Sequence, residues 1–85
     1  MQTFQYTVQA AEGLHARPAG LLVKCAQGCA SDVTIGFHGK QAHAKRLFAV
    51  MGLAVKKGDT IELTISGENE EEDTNSVSTF CRENI

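Results

Sequence analysis

Apolar and polar residues alternate over Thr3–Val8, with Phe4, Tyr6 and Val8 on one side and Thr3, Gln5 and Thr7 on the other. That period of two predicts a half-buried strand. The period lengthens from Pro18 to Cys29, where Ala19, Leu22, Val23 and Ala26 follow helical spacing and Gly28 closes the pattern. Pro18 falls in the first turn, where a missing N–H is harmless. Val33, Ile35 and Phe37 alternate again, and His38-Gly39 stands where a tight hairpin turn tolerates positive φ. Lys40–Ala44 is the short returning strand, Arg46–Met51 a short helix ended by Gly52, and Lys57-Gly58-Asp59 a turn. Ile61, Leu63 and Ile65, alternating with Glu62, Thr64 and Ser66, make the strongest strand of the chain.

Asn69 and Glu72 then have capping-box spacing, and glutamates fill the first turn of a last helix whose apolar stripe is Val77, Phe80, Cys81 and Ile85. Asp73, Thr74, Asn75, Ser76, Ser78 and Thr79 compete for backbone hydrogen bonds there. Packing must hold this helix, and its last turn is expected to fray. The order is β-α-β-β-α-β-α, with one apolar face on each strand, which predicts a mainly antiparallel sheet covered by helices on that face alone. The fold class is α+β, an open-faced two-layer sandwich.

Length limits this architecture to one domain over residues 1–85. Leu, Ile, Val and Phe number 20 of 85, above the one-fifth level below which disorder is the better expectation. The net charge of −2 argues against wholesale binding of nucleic acid or anionic membrane. It hides a split: residues 1–67 hold seven basic against four acidic side chains, and residues 68–85 hold one against six. Three cysteines, Cys25, Cys29 and Cys81, are an odd number without framework spacing. The first residues lack the basic and apolar regions of a signal peptide, and Leu47–Val55, the longest apolar-rich run, is half a membrane span. A cytoplasmic protein with reduced thiols and no membrane insertion is expected.

The informative stretch is Gly13-Leu14-His15-Ala16-Arg17-Pro18-Ala19-Gly20, which puts a histidine at the end of a loop and opens a helix directly after it. Free backbone N–H groups of Ala16 and Arg17 would point out of the helix start and, with the dipole, make an anion site beside the imidazole. Arg17 adds a planar cationic fork suited to phosphate oxygens. Beside that positive end the imidazole offers a ring nitrogen as a nucleophile. Such a nitrogen flanked by an anion cradle is what a transferable phosphoryl group requires. A lone histidine before a helix is usually a capping residue and a lone arginine a solvated one. No triad carboxylate and no phosphate-binding loop of the Lys-Ser or Lys-Thr type accompanies them.

The complete octapeptide, its place near residue 15 and the element order resemble HPr, the family of histidine-containing phosphocarriers of the bacterial sugar phosphotransferase system. The likeness runs from Thr3 to about Phe80. It implies a four-stranded antiparallel sheet with three helices on one face. It also implies that His15 is phosphorylated on Nδ1 by phosphorylated enzyme I, that the group passes to enzyme IIA domains, and that Arg17 contacts it. The family implies a carrier rather than an enzyme, acting as a monomer, with no cofactor and no metal.

Six of the nine residues from Leu47 to Val55 are large apolar ones, more than a two-turn helix buries on one stripe. Some should therefore be exposed, with Lys45 and Arg46 as a basic rim. Whether Leu47, Phe48 and Met51 complete the core or form a docking patch stays open on the residues alone. The resemblance assigns these three to the family's partner-binding surface, with Ala16, Gly20 and Lys24 on the adjoining helix. Seryl-regulated members carry serine where this chain has Arg46, so no regulatory serine is present and phosphorylation there cannot occur. A paralogous carrier in a regulatory phosphotransferase branch would have the same chemistry with other partners. A non-phosphorylated interaction domain is disfavoured by having both His15 and Arg17. His38, in a turn, and His43, on an edge strand, read as solvated. Cys25 and Cys29 at helical spacing are a weak zinc site, with Cys25 a partly exposed thiol.

Overall fold

The computed structural model describes residues 1–85. The elements are β1 (Gln2–Thr7), α1 (Ala16–Gln27), β2 (Asp32–Phe37), β3 (Lys40–His43), α2 (Leu47–Met51), β4 (Thr60–Ser66) and α3 (Glu70–Asn84). Their order is the expected one. The strands form a four-stranded sheet in the order β1-β4-β2-β3, antiparallel throughout. Register follows the apolar alternation: Phe4 faces Leu63, Leu63 faces Ile35, and Ile35 faces Ala42, giving one apolar row across the sheet. A one-residue slip would turn that row to solvent. The row beside it, Gln5, Glu62, Gly36 and Gln41, lies on the uncovered face. The β2–β3 hairpin turns at His38 and Gly39, with φ of 50° and 77°, as a right-twisted two-residue connection needs.

Leu22, Val23 and Ala26 of α1, Val50 of α2, and Val77 and Cys81 of α3 are buried together with the sheet's apolar side. Burying each large aliphatic side chain contributes about 1.5–3 kcal/mol, which is what holds helices of poor propensity. Boundaries shift where packing and capping override local pattern. α1 begins at Ala16 rather than Pro18, with Pro18 still inside the first turn. Gly28 caps it with a right-handed φ of −77°, sharing its N–H between the carbonyls of Lys24 and Cys25.

At α3 the Asn69–Glu72 capping box does not form. Asn69 makes no capping bond to the backbone, and its amide donates to the Glu72 side chain at 3.4 Å. Glu70 takes over the role, accepting the Gly67 N–H at 3.2 Å and pairing with the Met1 ammonium. The last turn does not fray either. α3 is helical to Asn84, Ile85 is buried, and the Ile85 carbonyl accepts the N–H groups of Gln9 and Ala10. Core packing and these long-range bonds outweigh the weak propensity of the segment.

Candidate functional site

The loop between β1 and α1 is fixed at several points. Val8 donates its N–H to Asp59 at 2.9 Å and accepts that of Gly58 at 2.8 Å, while Gln9 and Ala10 hang on Ile85. A turn closes from Gly13 N–H to the Ala10 carbonyl at 2.9 Å, and Leu14 N–H donates to the Val55 carbonyl at 3.0 Å. Gly13 has φ of +68°, and a Cβ there would lie 2.3 Å from the Val55 carbonyl oxygen. Only glycine allows this approach. Leu14 is buried, so the chain enters α1 from an anchored residue.

His15 is the N-cap of α1, extended at φ −75° and ψ −177°, and its side chain makes no capping bond. The imidazole is exposed. Its own carbonyl accepts the Ala19 N–H at 2.8 Å. The N–H groups of Ala16 and Arg17 have no acceptor within the protein, Pro18 has none to give, and the first turn has no acidic side chain. The positive end of α1 is therefore neither capped nor neutralised. Arg17 is exposed and forms no ion pair, since the one ion pair of the protein joins Met1 and Glu70. An exposed imidazole, an exposed arginine and two free N–H groups thus fall within three successive residues at the helix start, groups of the kind that bind an anion.

A shallow pocket of about 200 Å³ adjoins His15, formed by Leu14, Met51 and Val55 with Glu12, Ala54 and Lys56. Glu12, Ala54 and Lys56 escape a reading along the chain, because bonds between distant segments, Leu14 to Val55 and Val8 to Gly58 and Asp59, bring them together. Ala54 is a non-glycine residue at φ +56°.

The predicted docking residues lie on α1, on α2 and just before α2. Ala16, Gly20 and Lys24 repeat every four residues along α1, and the space over Gly20 is open. α2 packs against α1, and there Phe48 is 84% exposed while Leu47 and Met51 are half-buried. Val50, Leu53 and Val55 take the buried positions, which settles how the apolar run divides. Leu21, 38% exposed, extends the apolar surface on α1; its position off the buried stripe was the available signal. Arg46 is exposed at the start of α2. Lys45 points elsewhere, its Nζ donating to the Cys29 carbonyl at 3.2 Å beyond the end of α1.

The thiols are free. Cys25 is half-buried and Cys29 and Cys81 are buried. Burial, with the Asp73 charge as a lesser cause, raises Cys25 and pushes Cys29 up to about 11. Burial likewise pushes Cys81 up to about 12, so all three stay protonated near neutrality. Three His, Cys, Asp or Glu side chains do not converge anywhere as a metal site would need. His43 is exposed on β3, and His38 stands edge-on to Phe37, with ring centres 4.1 Å apart.

Fold and site together define an open-faced α+β sandwich that presents a surface histidine at an unfilled helix start. The family profile described as "PTS HPr component phosphorylation site" matches residues 2–83, and the chain belongs to the HPr family of phosphotransferase-system phosphocarriers. It is 39% identical to the phosphocarrier protein HPr of Lysinibacillus sphaericus, over 98% of this chain and 94% of that one. HPr-C-His from Thermoanaerobacter tengcongensis superposes with a TM-score of 0.94 at 28% identity, covering 99% of this chain and 94% of the other. A structure described as an HPr dimer from the same organism gives a TM-score of 0.77 at 29% identity, over 98% and 95%. No helix is long and apolar enough to cross a membrane.

Proposed function

We propose that this chain takes a phosphoryl group onto Nδ1 of His15 from phosphorylated enzyme I and passes it to enzyme IIA domains, serving sugar uptake in the cytoplasm. The observation that carries this reading is the exposed His15 at a helix start whose N–H groups have no internal acceptor. In the transfer, the bond from phosphorus to the donor breaks as the P–N bond to His15 forms. The phosphoryl oxygens then meet the N–H groups of Ala16 and Arg17 and the Arg17 guanidinium. A helix end supplies about 0.3–1 kcal/mol, at most about 2, enough to receive the group without trapping it.

Phe48, Leu47 and Met51, with Ala16, Gly20 and Lys24, form the docking surface for both partners, and Arg46 its basic rim, while the Lys45 ammonium is held at the Cys29 carbonyl instead. Partners with acidic rims fit it, and association should slow as salt rises. Arg46 places a cation where a seryl-regulated carrier would gain an anion, so ATP-dependent control at this position is absent. In this reading residues 1–85 act as one domain and as a monomer.

The test is incubation with phosphoenolpyruvate and enzyme I, followed by intact mass. One acid-labile phosphoryl group is expected on the native chain and none on His15→Ala. No uptake by the native chain, or undiminished uptake by His15→Ala, defeats the proposal.

A further inference from the structure

The pocket beside His15 bears two charges that neither the phosphate cradle nor the docking patch uses. Glu12 and Lys56 line it, one on each of the two segments that the Leu14–Val55 bond ties together. The backbone at each is fixed. The Ala10–Gly13 turn positions Glu12, and the Gly13 backbone rests so close to Lys56 that a Cβ on Gly13 would lie 2.6 Å from the Lys56 Cα. The Lys56 N–H is held in turn by the Asp59 carboxylate at 2.9 Å. Neither side chain has an ion-pair partner. An unneutralised carboxylate and an unneutralised ammonium therefore border the histidine.

We propose that Glu12 raises the phosphoryl-transfer potential of His15 by repelling the anion formed there, and that Lys56 opposes it from the other wall of the pocket. This rests on the carrier reading above. The cradle of N–H groups and Arg17 stabilises the phosphorylated state, and a nearby carboxylate offsets part of that stabilisation so that the group leaves readily. Charges separated by less than the Debye length, roughly 8 Å at physiological salt, still interact through solvent. Glu12 neither gives nor takes a proton in the transfer; it acts only through its charge.

The experiment equilibrates the full-length chain with enzyme I at a fixed ratio of phosphoenolpyruvate to pyruvate and reads phosphorylated to free carrier by intact mass. An equilibrium ratio is blind to docking rates, so it separates this role from a partner contact. Glu12→Gln should raise the ratio about two- to fivefold, Glu12→Lys should raise it further, and Lys56→Gln should lower it by a similar factor. All three shifts should shrink at high salt. A ratio unchanged in Glu12→Gln and Glu12→Lys, or shifts that ignore the sign of the charge and the salt, overturns the proposal while leaving the carrier reading intact. A native chain that takes up no phosphoryl group overturns both.

Discussion

The two long helices of this protein begin in opposite ways. At α3, Glu70, Glu71, Glu72 and Asp73 fill the first turn, Glu70 accepts the Gly67 N–H, and Asp73 reaches across to accept the Ser31 N–H at 2.9 Å. At α1 the first turn has no acid, the N-cap side chain makes no bond, and the N–H groups of Ala16 and Arg17 are left open. Both ends carry the same partial positive charge. α3 offsets it with its own first-turn carboxylates, one of which, Asp73, ties the helix start to the loop before β2. α1 leaves it at the surface beside an imidazole, where only a group from outside can use it. The difference identifies which helix start is structural and which is free for chemistry.

The comparison breaks if α1 is made to resemble α3. Ala16→Glu puts a carboxylate at the first helical position, where it would neutralise the end and repel an incoming phosphoryl group. The phosphorylation rate should fall about ten- to a hundredfold, as loss of a preorganised donor site does. Stability should rise by about 0.3–1 kcal/mol through the same charge–dipole interaction. Ala16→Gln has similar bulk without the charge, so it reports what bulk alone costs docking, and the further loss in Ala16→Glu is the effect of the charge. Rapid-quench phosphorylation and thermal unfolding measure the two effects, and an Ala16→Glu chain phosphorylated at the native rate would sink the account of α1.

This contrast was only half legible in the sequence. The period-two and helical patterns gave every element in order, because each strand buries one face and register follows from it. His15, Arg17 and the surplus of apolar residues after Arg46 were local signals as well. The arrangement at α3 was not, since Asn69 and Glu72 have capping-box spacing yet the backbone takes its acceptors from Glu70 and Asp73. A carboxylate that reaches from residue 73 to residue 31 leaves no local trace. The same holds for Glu12 and Lys56, which line one pocket because backbone bonds join distant segments, and for Lys45, drawn from the docking rim by the Cys29 carbonyl.

Asp73 is a buried residue whose carboxyl hydrogen bonds from Ser31 hold below the usual range. Asp73→Ala leaves the buried Ser31 N–H without its acceptor and should cost about 1–3 kcal/mol near pH 7. Asp73→Asn keeps an oxygen acceptor and loses only the charge, so its penalty should be smaller. A carboxyl lowered on folding stabilises the native state fully above its unfolded value of about 3.9, and that contribution disappears as pH falls through the folded value. The gap between the native chain and Asp73→Asn should therefore be widest near neutrality and close below about pH 4. Urea unfolding across that range checks the sign, and a gap that widens in acid would refute the role given to Asp73. Phosphorylation of refolded Asp73→Asn at pH 7 should be unaffected, because α3 serves the frame.

The smallest effect is expected at Ala54, on the side of the molecule that α1 occupies. This residue precedes Val55, whose carbonyl holds Leu14, and it adopts φ of +56° without being glycine. A left-handed conformation costs an L-residue about 1–2 kcal/mol. Glycine would remove that cost but would lose more freedom on folding, about 0.4–1 kcal/mol against alanine. Ala54→Gly should therefore stabilise the protein by about 0.5–1 kcal/mol, a rise in Tm of roughly 2–8 °C for a domain of this size. If the strain only supports the anchor, the phosphorylation equilibrium of His15 stays where it was. If the Ala54 methyl instead shapes the pocket beside the histidine, the equilibrium moves while Tm rises. Measuring both on the same variant tells whether the open helix start depends on a strained support or merely tolerates one.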